Sequence, residues 1–152
     1  MKNMIHPSTL AALLAARPTI AALCLLLLAG CGNGDPFAYV RVSGKVTYED
    51  GTLIPVPGIV LKFYPQSGEL DAKTHPRPGM TKIDAKTGEF SDITSHHLND
   101  GLVRGKHKVV LLAGDYQPLP PNLVPPEYSD PFKTPLEVDT ADLSFHIRVR
   151  KP

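Results

Sequence analysis

The 152-residue chain contains no tryptophan, only two cysteines and almost no surplus of charge: 16 Lys and Arg stand against 15 Asp and Glu, a formal net charge of +1. Balanced, scattered charge excludes the basic footprint on which nucleic-acid binding depends. The sequence has no Gly-rich phosphate loop, no HExxH, no Cys/His ligand spacing and no G-x-S-x-G elbow. That removes the usual grounds for a nucleotide, zinc or serine-hydrolase site. Heptads and internal repeats are missing too. With five Tyr and no Trp, the aromatic platforms that grip sugars are scarce. What is plentiful is punctuation: 16 Pro and 12 Gly favour short strands joined by turns over helices.

The longest apolar run, residues 20–30, closes in "LCLLLLAGCGN". It is about half the ~20 residues a helix needs to cross a bilayer. Extending it backwards buries Arg17 beside Pro18. A central Arg costs about 2.5–3.5 kcal/mol even on the mildest insertion scale, and Pro removes a helix hydrogen bond. The segment instead has the parts of a secretory signal: Lys2 and Arg17 in front, an apolar middle, then small residues. Leu28-Ala29-Gly30-Cys31 resembles the lipobox of bacterial lipoproteins. That resemblance implies cleavage between Gly30 and Cys31, diacylation of the Cys31 thiol and acylation of the new amino group, making a membrane the first partner. One acyl chain anchors only marginally, whereas two or three hold firmly. The alternative is an ordinary signal peptide followed by an unrelated Cys.

This reading divides the chain into a signal peptide (residues 1–30), a flexible tether (31–38) and one domain (39–152). Cys24 leaves with the signal, so Cys31 has no intramolecular disulfide partner. Lys2 and Arg17 leave as well, while no Asp or Glu does, and the net charge falls from +1 to −1. Gly32 rather than Asp follows Cys31. By resemblance to sorting in some Gram-negative lipoproteins, this favours the outer membrane slightly over the inner.

Alternation places the strands. "YVRVSGKVTY" puts Val40, Val42, Val46 and Tyr48 on one face, with Gly44 there leaving room for a close neighbour. "GIVLKFYP" directs Ile59, Leu61 and Phe63 one way and Val60, Lys62 and Tyr64 the other. "GMTKIDAKTGEFSDI" predicts two short strands joined by a tight turn, with Gly88 at φ > 0. "GKHKVVLL" predicts a central strand, "TPLEVD" a short edge strand, and "LSFHIRVR" a last strand with Leu143, Phe145, Ile147 and Val149 inward. Together these predict an all-β fold of about seven short antiparallel strands packed as a sandwich.

The order of these motifs resembles the carboxypeptidase regulatory-like, or transthyretin-like, domain. Its V-x-G-x-V opening falls on Val42, Gly44 and Val46. Its P-x-P-G-x-x-V strand falls on Pro55, Pro57, Gly58 and Val60, its D-x-x-G-x-F turn on Asp84, Gly88 and Phe90, and its G-x-Y-x-V strand on Gly105, His107 and Val109. The chain departs from the pattern in three places: His107 replaces the usual Tyr, the D…G…F turn carries an extra residue, and the loop before Pro57 is slightly long. "LPPNLVPPEYSDPFKTPLEVD" resembles the tail of small secreted lipoproteins of this type. The resemblance implies a seven-stranded Greek-key sandwich without catalytic residues.

The remaining candidates each have a plain reading. His96 and His97 are adjacent, so on a strand they point to opposite faces and chelate one ion only from a loop; His75, His107 and His146 lie far off. All are expected on the surface, and no metal or cofactor is predicted. "DAKTGEF" offers too few oxygens for calcium. Ser91, Ser95 and Ser129 lack a nucleophile setting, and Glu49/Asp50 sit at a turn. The proline-rich "YQPLPPNLVPPEYSDPF" either presents Tyr116, Pro120, Pro121, Pro125, Pro126 and Tyr128 to a partner or packs over the sandwich edge. Long ordered loops usually do the second. The chain is therefore expected to be a non-enzymatic, lipid-anchored cell-envelope protein acting as a structural module or as an interaction module for protein or glycan. The alternative is a small-ligand or carbohydrate binder, with a metal protein or hydrolase behind it. A purine-pathway hydrolase of transthyretin-like fold is disfavoured because its His/Arg/His and Tyr-Arg-Gly-Ser pattern is missing.

Overall fold

In the computed structural model the chain is described over residues 36–66 and 75–152. Among these residues it is all-β, with nine strands and one 3-10 turn, Pro126–Ser129, and no α-helix. The strands are β1 (Tyr39–Val40), β2 (Ser43–Tyr48), β3 (Val60–Pro65), β4 (Gly79–Lys82), β5 (Glu89–Phe90), β6 (Leu102–Val103), β7 (Lys106–Leu112), β8 (Glu137–Asp139) and β9 (Ser144–Val149). They form a four-stranded sheet in the order β4-β3-β7-β8, a three-stranded sheet β5-β2-β9, and a two-stranded ribbon β1-β6. The expected signal, the cleavage site Gly30/Cys31 and the start of the tether lie outside the described residues. The described tether residues already belong to the body, since the Ala38 carbonyl accepts a 3.2 Å bond from the Arg104 N–H.

The inner faces of the two larger sheets share one core, as in a β-sandwich. Val46, Tyr48, Phe145, Ile147 and Val149 come from one side and Ile59, Leu61, Phe63, Val109 and Leu111 from the other. Phe63 sits between Phe90 and Phe145, with ring centroids 5.9 and 6.3 Å away. Each fully buried side chain of this size contributes about 1.5–3 kcal/mol, so the alternation read from the sequence is also what holds the body together.

Four expectations are corrected. There are nine strands rather than seven, because the opening strand breaks after Val40 and its first piece pairs with β6. The first and last long strands, β2 and β9, run parallel, from Ser43↔Ser144 to Tyr48↔Val149, while every other ladder is antiparallel. The strands flanking the Asp84–Gly88 turn do not pair with each other: β4 joins β3 and β5 joins β2, so the turn connects the two sheets, and its arms meet antiparallel at Met80 and Thr94, beyond β5. Leu143 is 60% exposed, because it precedes the first residue of β9 and the core does not reach it. Other details follow the sequence. Gly88 has φ +72°, β7 is flanked by β3 and β8, and β8 is an edge strand. Gly44 is a close-approach position, because an added Cβ there would lie 2.7 Å from Phe90 Cζ and would meet the Phe145 carbonyl oxygen.

Candidate functional site

The outer face of the β5-β2-β9 sheet is polar by the same period that makes its inner face apolar. Ser43, Lys45 and Thr47 alternate with core residues on β2, and Ser144, His146 and Arg148 do so on β9. Register turns these into rows. Lys45 stands between Glu89 of β5 and His146 of β9, and Thr47 stands beside Arg148. An open groove of about 780 Å³ runs across the first row, with Thr81, Lys82, Asp84 and Thr87 on one side and Ser91 and Asp92 beyond. A smaller one of about 310 Å³ continues over Thr47 and Arg148 and shares Lys45 and His146 with the first.

The groove walls are held by local bonds. Thr81 donates to the Ser91 carbonyl (2.6 Å), fastening β4 to the chain after β5. Asp84 Oδ1 accepts from the Lys86 and Thr87 N–H groups (2.7 and 3.1 Å), an Asx turn that fixes the connection between sheets. Both signs of charge and several hydroxyls face one open surface. Such a surface suits an extended polar ligand held by many weak bonds better than a buried reacting group.

The serines singled out in the sequence serve structure: Ser91 donates to Asp92 Oδ2 (2.9 Å), Ser95 to the Gly101 carbonyl (2.6 Å) and Ser129 to the Leu111 carbonyl (2.8 Å). His96 and His97 do lie on a loop, their rings 4.3 Å apart edge to face. Among the described residues no group of three or more His, Cys, Asp or Glu could hold a metal ion. The loop is organised by Asp100, which accepts from the Ser95, His96 and His97 N–H groups at 2.8, 2.9 and 2.7 Å. Desolvation raises the pKa of this carboxyl, but the three backbone bonds outweigh it and the net direction is down.

His107 is not on the surface. It shares the inward parity of Val109 and Leu111 on β7 and is 1% exposed. Its Nδ1 lies 3.0 Å from the Gly105 carbonyl, which can only accept, so Nδ1 carries the proton. Nε2 has no partner. Burial pushes the imidazole below its ordinary pKa, against the upward pull of the Gly105 carbonyl and the Asp139 charge.

The proline segment divides. Tyr116 (φ +65°), Pro120, Pro121 and Pro126 are exposed, whereas Pro125 and Tyr128 are buried. Leu119, Val124 and Tyr128 are core residues, and Tyr48 Oη donates 2.7 Å to the Leu123 carbonyl. β8 covers β7 only as far as Lys108. Beyond it the Val109 N–H still bonds to the Leu136 carbonyl (3.0 Å), and side-chain hydroxyls take the carbonyls: Thr134 donates to that of Val109 (2.7 Å) and Ser129 to that of Leu111. Sequence reasoning missed these two hydroxyls and the Lys45/His146 row. Strand alternation places Lys45 and His146 on outer faces, but only register joins them in a row; nothing local marked the hydroxyls.

Comparison with protein-family models, with curated proteins and with solved structures returns no match. The likeness to transthyretin-like domains thus rests on the motif residues named above.

Proposed function

We propose that the chain is a lipid-tethered, non-enzymatic protein of the cell envelope, anchored through Cys31. In this reading a transthyretin-like, Greek-key body serves as an interaction module for protein or glycan. The observation that carries the reading is the continuous polar groove over the Glu89–Lys45–His146 row, a surface rich in hydrogen-bonding groups on a rigid sheet. The anchor is supported by Leu28-Ala29-Gly30-Cys31, and the compact unit begins at Pro36, within a few residues of Cys31. A tether that short keeps the body within some tens of Å of the bilayer, at about 3.3–3.6 Å per residue.

A second reading, a small-ligand or carbohydrate binder, draws on the hydroxyls of Ser43, Thr81, Thr87 and Ser144 along the same groove. Mass spectrometry of the mature amino terminus tests the anchor, and an unmodified Cys31 overturns it. Affinity capture from detergent-solubilised envelope, comparing wild type with Cys31→Ser and Lys45→Glu, tests the module. A recurring neighbour lost with Lys45→Glu supports it. No neighbour, together with turnover or tight binding of a small molecule, favours the second reading.

A further inference from the structure

β9 is the outermost strand of its sheet, and its backbone groups divide by parity. The carbonyls of Leu143 and Val149 accept from Ser43 and Glu49 of the β2 side, which fixes the odd-numbered residues as those that bond inward to β2. Successive residues of a strand turn their N–H and C=O groups to opposite sides. Ser144, His146, Arg148 and Arg150 therefore turn theirs away from the sheet. At one end this edge is closed: the Arg150 N–H bonds to Tyr128 Oη (3.3 Å) and the Arg150 guanidinium to Glu127 (2.8 Å). Over residues 144–148 no described residue pairs with it, and Ser144, His146 and Arg148 are exposed. A row of outward donors and acceptors on a rigid strand is a template for one more strand.

Charge and shape say what that strand carries. Residues 143–152 include His146, Arg148, Arg150 and Lys151 and no Asp or Glu. Arg150 and Lys151 are already paired, with Glu127 and Asp50, which leaves Arg148 as the cation flanking the open stretch on the groove side. On the opposite parity Leu143 stands 60% exposed beside a cleft of about 230 Å³ formed with Arg41, Val42 and Asn99. A second copy of the chain is a poor occupant, since two β9 edges would bring His146 and Arg148 together with no acid between them. We propose that the open edge of β9 takes up, as an added strand, an extended segment of a partner protein that alternates acidic residues facing the groove with apolar residues facing Leu143. This names the partner class for the interaction module above and rests on that reading.

The test uses the full chain in detergent and a fluorescent peptide alternating Glu and Val, compared with a peptide of the same composition whose Glu residues are clustered. The alternating peptide is expected to bind, and Arg148→Glu to weaken it by about tenfold or more. N-methylation of the peptide at one parity is expected to abolish binding while methylation at the other spares it, because only one set of N–H groups faces β9. This arm needs no protein variant. On the protein side His146→Pro removes an outward donor without touching the β2 ladder and should also abolish binding, whereas His146→Ala, which keeps that N–H and loses only the side chain, should weaken it far less. Equal binding of the clustered peptide, indifference to N-methyl position, or no binding at all overturns the proposal. So does self-association in sedimentation that Arg148→Glu changes, which would make the occupant a second copy. If envelope capture recovers a recurring neighbour that survives Arg148→Glu, the module stands and the strand addition falls; if capture recovers nothing, the module itself falls.

Discussion

Tyr48 on β2 donates a 2.7 Å hydrogen bond to the carbonyl of Leu123, 75 positions later in the chain. One phenol thus fastens the proline segment to the three-stranded sheet, while Ser129 within it and Thr134 just after it bond to β7 of the other. The segment is a structural clasp between the two larger sheets, with Tyr128 as its buried anchor.

Tyr128→Ala is expected to destabilise the body by about 3–5 kcal/mol, the range for emptying an aromatic site in a core. Tyr48→Phe, which loses only the hydroxyl, should cost about 1 kcal/mol. Thermal or urea unfolding distinguishes them. A Tyr128→Ala protein of unchanged stability would mean that the segment is a displayed ligand and not a clasp.

The Thr134 hydroxyl donates to the Val109 carbonyl and accepts from the Leu136 N–H at 3.2 Å. Thr134→Val keeps the shape and strands both groups, so a loss of about 1–3 kcal/mol is expected. Thr134→Ser retains the hydroxyl and should recover most of that loss. Because the bared β7 edge is a pairing surface, Thr134→Val should also aggregate sooner on heating, as light scattering would record.

His107 makes stability depend on acid. Its pKa is lower folded than unfolded, so the unfolded chain takes up the proton first as pH falls. The stabilisation is complete above the unfolded value of about 6.5 and is lost as pH falls from there through the lower folded value. Urea midpoints should fall as the pH drops below about 6.5. His107→Phe, with no proton to gain and no stranded Nε2, should remove most of that drop.

Asp100 holds residues 94–101 through three backbone donors. Asp100→Ala should loosen the loop by about 1–3 kcal/mol, seen as faster amide exchange at Ser95, His96 and His97 with little change in β7. Since the carboxyl pKa is depressed in the fold, the same loosening should set in for the wild type as pH falls below its ordinary value of 3.8.

The faces of the strands were legible because period two writes them directly: Val42, Val46 and Tyr48, then Ile59, Leu61 and Phe63, then Phe145, Ile147 and Val149 are all buried. Pairing was not, because alternation says which way a side chain points and nothing about which strand lies alongside. The parallel match of β2 with β9 joins segments about a hundred residues apart, and no local residue announces it. The Asp84–Gly88 turn was read correctly as a turn, but its two strands belong to different sheets and its arms pair only at Met80 and Thr94 among the described residues. Its chemistry is local, whereas the choice of sheet is set by Phe90 packing against Gly44 and Phe63. The burial of His107 was written in its parity with Val109 and Leu111 but masked by the polarity of the residue itself. In the groove, each polar residue could be assigned to the outer face from sequence, but the row that joins Glu89, Lys45 and His146 exists only through register.

The pairing of β2 with β9 also has a mechanical meaning. These strands lie near opposite ends of the chain and run in the same direction, so a pull between the two termini drags one along the length of the other. Every rung of that ladder then resists at once, where a hairpin would unzip one rung at a time. If the body is tethered through Cys31 as proposed and loaded at its carboxyl end, that geometry turns the ladder into a strut under shear.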